Sequence, residues 1–232
     1  MGRVQVFGNP PITVEVRKSA RARRLSLRVS RLDGKVSLTT PPRASEREVQ
    51  GFLESRADWV RGHLATVAPM DTPQVGGTLM FRGTPHSIVA AAQRGVQHDE
   101  IRKVLVVPEA STRVPALLKG FLRQQARDAL AIASDGYADR LGRTYTKLTL
   151  RDTRSRWGSC TSSGGLMYSW RLIMAPPDVL NYVAAHEVAH LVEMNHSDRF
   201  WAIVEKLMPE FREPRRWLRN NGRELQAWNF EG

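Results

Sequence analysis

Two histidines and a glutamate form the most informative short motif in this chain of 232 residues. The segment HEVAH covers residues 186–190, and apolar residues on both sides predict a helix over about 178–193. Residues four apart share one face of a helix, so the imidazoles of His186 and His190 can bind one zinc ion. Glu187 is offset by one position, where a carboxylate can take a proton from a water molecule at the metal. The motif therefore predicts a hydrolase with a single zinc ion.

The third metal ligand has two candidates downstream of the motif, Glu193 and His196. Glu193 lies about 10 Å along a straight helix from His186, too far for three ligands to converge on one small ion. Asn195 tolerates the left-handed conformation that ends helices, so the chain can turn there and bring His196 back to the metal. We therefore favour His196 as the third ligand and Glu193 as a hydrogen-bond acceptor for a ligand imidazole. Three protein ligands leave one position open for water, as in catalytic zinc sites.

The segment RSRWGSC, residues 154–160, contributes further polar candidates upstream of the motif. Arg154 and Arg156 can stabilise the oxyanion of a tetrahedral intermediate or bind a phosphate, and they can equally anchor the fold by pairing with carboxylates. Cys160 can serve as a fourth zinc ligand, but a small buried thiol is the commoner fate of a single cysteine. The segment therefore predicts possible substrate or transition-state contacts without assigning them.

The elements around the motif predict a lobe over residues 111–232. Apolar spacing from Val114 predicts one long helix that ends at Gly142. Segments 146–151 and 166–173 read as strands on either side of a Gly- and Ser-rich turn, and either strand can pair with an extended peptide. Ser197 is placed to cap a further helix. This lobe holds every residue of the predicted metal site.

The first half of the chain, residues 1–110, reads as a β-rich and basic lobe with one helix. Asp33-Gly34 predicts a hairpin, and Ser45 with Glu48 fits a capping box at the start of the helix, which extends to about Leu64. Alternating apolar and polar residues predict the strands, which lie at about 12–16, 25–29, 36–38, 79–92 and 101–107.

Composition narrows the class of protein. Hydrophobic residues make up 41% and charged residues 25% of the chain, which is ordinary for a globular protein. No apolar run reaches the roughly 18 residues that cross a membrane, and the segment 1–10 lacks the apolar core of a signal peptide. Cys160 is the one cysteine, so no internal disulfide can form. We therefore expect a cytoplasmic protein with no membrane partner.

A net charge of +12 raises the question of a nucleic-acid partner. Arginine dominates this charge, and residues 1–70 carry more than half of the excess. The sequence contains no zinc finger and no basic motif interleaved with aromatic residues, so we favour a solvated basic face over a binding surface. Nucleic acid remains a possible but not a favoured partner.

Four segments together resemble the YgjP-like family of metallopeptidases, which is related to the SprT-like and WLM zincins. The matching segments are RSRWGSC (154–160), WRLIMAP (170–176), HEVAH (186–190) and NHSDRFW (195–201), in the order and spacing of that family, with RRLSLRV (23–29) and Trp59 adding to the likeness. The residues before Trp170 differ from the expected pattern, and the glycine that metzincins carry between the second and third ligands is missing.

The resemblance implies an α+β protein whose zincin-like catalytic lobe, with a long helix, a small sheet and the HExxH helix, follows an N-terminal β-rich lobe. It implies one Zn²⁺ held by His186, His190 and His196, with Glu187 as general base in the hydrolysis of a peptide or protein substrate. Two alternatives stay open: a metal-dependent hydrolase of nucleotide phosphoanhydrides, with Arg154 and Arg156 on phosphate, and a basic nucleic-acid-binding module with a structural zinc site.

Overall fold

The first seventy residues form a unit of their own, built on a four-stranded sheet. In the computed structural model, which describes residues 3–30, 33–67 and 70–231, the chain divides into Met1–Met70 and Asp71–Gly232. The strands occur in the order β1-β2-β4-β3, and β3 and β4 form the predicted hairpin. Their bounds are β1 Arg3–Phe7, β2 Ile12–Lys18, β3 Ser26–Val29 and β4 Val36–Thr40.

Two helices, not one, complete the first unit. The capping box is confirmed, since the Glu48 backbone N–H donates to Ser45 Oγ at 3.2 Å and the Ser45 N–H donates to the Glu48 carboxylate at 2.8 Å. The predicted single helix is interrupted at Arg56, whose φ of −109° and ψ of 4° lie outside the helical region. The helices are α1 Glu46–Ser55 and α2 Ala57–Leu64.

The second unit begins with another four-stranded sheet, in the order β5-β6-β8-β7. Its apolar residues Leu79, Ile88 and Leu105 belong to the same buried cluster as those of the HEVAH helix. The predicted boundary after residue 110 therefore falls inside this unit, because the sheet buries its apolar face in the core of the second unit. The strands are β5 Thr78–Phe81, β6 Thr84–Ala91, β7 Gln97–Asp99 and β8 Val104–Pro108.

A long helix, α3 (Val114–Leu141), contributes to the hydrophobic core of this unit. The prediction is confirmed, and the helix ends at Gly142, whose φ of +60° and ψ of 38° are left-handed. One stripe of α3 is buried at a spacing of four residues: Leu118, Leu122, Ala126, Leu130, Ser134 and Ala138.

A small sheet, in the order β10-β11-β9, lies upstream of the motif helix. Its strands are β9 (Lys147–Arg151), β10 (Gly158–Cys160) and β11 (Gly165–Ser169). The predicted strand over 166–173 ends at Ser169, because Trp170–Met174 forms a 3-10 helix with every side chain buried. When every residue of a segment is buried, the apolar residues show no periodicity that could distinguish a strand from a helix. β10 was not predicted, since three residues are too few to show alternation.

Three helices finish the chain: α4 (Pro177–Ala189), α5 (Asp198–Leu207) and α6 (Arg212–Gln226). The motif helix α4 is shorter than the predicted 178–193. The unpredicted α6 is rich in arginine and buries a single narrow face. The protein is therefore α+β, as expected. Among the described residues, no helix is both long and apolar enough to cross a membrane.

Candidate metal centre

Helix α4 holds the motif rigidly because it is buried on nearly all sides. Val179, Val183, Ala184 and Val188 are buried, so apolar packing fixes the helix. The helix ends at His190, and the backbone then turns, with the Glu193 N–H donating to the Ala189 carbonyl at 3.1 Å. The chain bends at Asn195, where a turn was predicted, but Asn195 does not adopt the predicted left-handed conformation.

The three predicted histidines meet at one point. The Nε2 atoms of His186 and His196 lie 3.0 Å apart, and each of the three side chains offers a ring nitrogen within 4.8 Å of the others. Phe200 packs beneath them, with its ring stacked on that of His190 at a centroid distance of 4.4 Å. The ends of α4 and α5 therefore assemble a compact set of three imidazoles.

Hydrogen bonding fixes the orientation of the second histidine. His190 Nδ1 lies 2.9 Å from the backbone carbonyl of Glu193, which can only accept, so Nδ1 carries the proton and Nε2 keeps its lone pair. Glu193 is therefore the acceptor for a ligand imidazole, as predicted, but the accepting atom is its backbone carbonyl oxygen. Its carboxylate instead accepts from the Asn195 backbone N–H at 3.3 Å and lies 4.0 Å from Arg199 Nε.

The donor set fits a divalent transition metal such as zinc. Burial, followed by the charges of His190, His196 and Arg215, lowers the pKa of His186 to about 3, and burial lowers the pKa of His190. Neutral imidazoles are the form that binds metal. His186 Nδ1 is buried without a hydrogen-bond partner among the described residues, so packing, and not a hydrogen bond at Nδ1, orients this ring. A cation between the three rings would satisfy lone pairs that otherwise face one another.

Glu187 lies in a tight cradle beside the histidines. It is 5% exposed, and a Cβ on Gly158 would stand 2.5 Å from its Cγ and Oε1. Burial raises the pKa of Glu187 to about 8, while the charge of Arg156 and a hydrogen bond from the Cys160 backbone N–H act in the opposite direction. The pKa of this carboxyl group therefore lies close to neutral pH, which suits a group that accepts and then releases a proton.

Arg154, Arg156 and Cys160 of the segment RSRWGSC differ in their surroundings. Arg156 is exposed, and its charge acts on Glu187. Arg154 is also exposed, and its backbone carbonyl accepts from Gln226 Nε2 at 3.4 Å. The half-buried Cys160 thiol is not part of the histidine cluster, and burial followed by the charge of Glu187 raises its pKa to about 11.

Sequence reasoning missed two residues beside the site. Gly158 leaves room for Glu187, and no local signal marks it, because the contact joins residues 29 positions apart. Arg215 lies over the ring of Trp201, with its guanidinium carbon 4.4 Å from the ring centroid. It belongs to an arginine-rich helix in which nothing in the sequence distinguishes it from its neighbours.

A family model described as the YgjP-like metallopeptidase domain matches residues 23–221. A crystal structure of the metallopeptidase zymogen of Pyrococcus abyssi abylysin shares 21% sequence identity at a TM-score of 0.36, covering 39% of this chain and 93% of that one. No curated protein matches the chain. The family model covers most of both units.

Proposed function

Because the chain belongs to the YgjP-like family of metallopeptidases, we propose that it hydrolyses peptide bonds at a zinc ion held by His186, His190 and His196, with Glu187 as general base. The observation that carries this proposal is the convergence of three imidazole nitrogens within 4.8 Å at the end of the helix that also presents the buried Glu187. Three protein ligands leave a coordination position for water or substrate.

The metal supplies Lewis acidity: when bound, zinc makes water acidic near neutral pH and polarises a substrate carbonyl. The Glu193 carbonyl fixes the orientation of the His190 ring through a hydrogen bond, and the packing of α4 positions His186. Their lowered pKa values keep both rings neutral at physiological pH.

Glu187 moves the proton. The Cys160 N–H and the charge of Arg156 favour its carboxylate form, which accepts a proton from the attacking water. Burial favours the protonated form that follows, and this form returns the proton to the leaving amine. The opposing influences on one carboxyl group therefore support both halves of the reaction.

The edge strand β10 is the proposed site for the substrate backbone. The sheet order places β10 at an edge, and Gly158 and Cys160 of this strand contact Glu187. An extended peptide can pair with such an edge through main-chain hydrogen bonds. Of the two predicted candidates, 166–173 corresponds to β11, which is paired on both sides and is not available, and 146–151 corresponds to β9, which lies at the opposite edge of the sheet.

The proposal is tested by offering two substrate classes to one zinc-loaded preparation. We expect cleavage of an unfolded protein such as reduced casein, sensitive to a chelator and restored by zinc, and no release of phosphate from nucleoside triphosphates. Phosphate release without peptide cleavage would contradict the proposal. It would point instead to a phosphoanhydride hydrolase that uses Arg154 or Arg156. Salt-dependent nucleic-acid binding with no hydrolysis of either substrate would equally contradict it.

A further inference from the structure

Arg215 lies over the ring of Trp201, which in turn contacts two of the three histidines. Its guanidinium carbon stands 4.4 Å from the centroid of Trp201, whose ring is 5.8 Å from that of His186 and 6.0 Å from that of His196. Trp201 stacks in turn on Phe211, at a centroid distance of 5.6 Å and an interplanar angle of 17°. The cation is thus held over a rigid platform that borders the metal centre.

Arg215 and the metal centre share Trp201 as a neighbour. Tyr182 is buried, whereas Arg215 is exposed and accessible to a substrate.

The donors of Arg215 are available. Its neighbours on α6 form ion pairs, Arg212 with Glu205 at 3.3 Å and Arg216 with Glu213 at 3.4 Å. Within the described part of the chain, no carboxylate forms an ion pair with Arg215. Ring stacking orients a guanidinium without consuming its N–H groups, so five donors remain for a ligand.

We propose that Arg215 is a catalytic residue that donates hydrogen bonds to the oxygen of the scissile carbonyl as that oxygen becomes negative; this inference rests on the proposed peptidase function. When the water oxygen bonds to the carbonyl carbon, the π electrons move onto the carbonyl oxygen and the water proton goes to Glu187. Arg215 stays protonated throughout. The carbonyl then re-forms, the C–N bond breaks, and the proton from Glu187 leaves with the amine.

Arginine suits this role because it remains charged at every physiological pH and is oriented before the reaction begins. Arg156 is placed differently, since its charge acts on Glu187. The two exposed arginines thus divide the work: Arg156 favours the ionised base, and Arg215 stabilises the oxyanion.

The test compares Arg215→Gln and Arg215→Lys with the matched control Arg216→Gln, which removes the same charge from the same helix. We expect Arg215→Gln to lower kcat on a quenched fluorescent peptide by roughly 10²-fold, with zinc content and KM little changed. Affinity for a phosphinic pseudopeptide, which imitates the tetrahedral oxyanion, should fall by a similar factor. Arg215→Lys should recover part of kcat, and Arg216→Gln should leave it within about twofold.

An unchanged kcat in Arg215→Gln, an equal loss in Arg216→Gln, or a loss of kcat that follows loss of zinc would overturn the role of Arg215. If Arg215→Gln does not fold, Arg215→Lys decides the question. Its loss of kcat should then match its loss of affinity for the phosphinic pseudopeptide. A zinc-loaded, unaltered chain that cleaves no peptide would overturn the proposed function, and this inference with it. The two failures are therefore distinguishable.

Discussion

The Nε2 atoms of His186 and His196 lie 3.0 Å apart, although α4 ends and the chain reverses between them. We predict that His196→Ala lowers zinc affinity by more than roughly 100-fold, since it removes a ligand and not merely an outer hydrogen bond. The matched variant is Glu193→Gln. It should change affinity by less than about 10-fold, because the backbone carbonyl of Glu193, not its carboxylate, accepts from His190.

Competition with a chromophoric chelator measures both affinities. If Glu193→Gln lost zinc and His196→Ala kept it, the carboxylate of Glu193 would be the ligand and the assignment of His196 would be wrong.

The cradle of Glu187 gives a second prediction. Gly158→Ala would place a Cβ 2.5 Å from Cγ and Oε1 of Glu187, so the carboxylate must move. We expect peptidase kcat to fall by roughly 10²-fold, as happens when a catalytic group is displaced by about 1 Å, while zinc content stays at one ion per chain.

Gly136→Ala is the matched control, since a Cβ there meets nothing within 4 Å. Gly136 lies inside α3, where alanine should raise stability by about 0.5–1 kcal/mol and leave kcat unchanged. Full activity in Gly158→Ala would show that Glu187 does not need its present position.

A third prediction concerns Arg171, which ties the C-terminal segment to the small sheet. Its guanidinium pairs with Asp152 at 2.6 and 3.1 Å and donates to the carbonyls of Leu225 and Trp228 at 3.0 and 3.1 Å. Arg171 is 7% exposed, so Arg171→Ala leaves these acceptors without their donor. We expect the free energy of unfolding to fall by about 3 kcal/mol.

Urea titration followed by circular dichroism measures this loss. The control is Arg151→Ala at an exposed position, with an expected change within about 0.5 kcal/mol. Equal stability of the two variants would show that the buried arginine contributes nothing to holding the C-terminal segment.

A fourth prediction is a pH dependence arising from His98. Burial lowers the pKa of His98, and the charge of His86 lowers it further, since the Nε2 atoms of the two rings are 3.0 Å apart. The charge of Glu100 opposes this shift, whereas the charges of Arg82 and Lys103 add to it. The folded pKa therefore lies below the unfolded value of about 6.5, so the unfolded chain binds more protons in the interval between them. The stability contributed by His98 is complete above about pH 6.5 and is lost as the pH falls below it.

We expect the unfolding free energy to decrease more steeply between pH 7 and pH 5 in the unaltered chain than in His98→Asn. Urea titrations at three pH values, with chelator present throughout, compare the slopes while the metal-binding histidines remain the same in both proteins. Parallel slopes would mean that His98 titrates alike in the folded and unfolded chain.

Local patterns in the sequence predict the elements whose signals are local. The apolar spacing of α3 and Gly142 define a helix with both ends, and Ser45 with Glu48 defines a helix start. The metal histidines lie within eleven residues, so helix geometry and one turn suffice to bring them together.

The remaining features depend on contacts between distant segments. β10 is a strand because β11 pairs with it, and Gly158 is significant because Glu187 approaches it from another element. Arg215 borders the site only through the packing of α6 against Trp201. The sheet of β5 to β8 likewise packs into the core of the second unit, and no local sequence pattern near residue 110 indicates this packing.

The central claim is that Glu187 acts as the base at a metal held by three histidines. The most direct measurement compares zinc content and peptide hydrolysis in the unaltered chain and in Glu187→Gln, which keeps the shape of the side chain and removes its basicity. We predict one zinc ion in each protein and a kcat lower by roughly 10²–10⁴-fold in the variant. A variant that binds zinc and cleaves peptides at the unaltered rate would contradict the account.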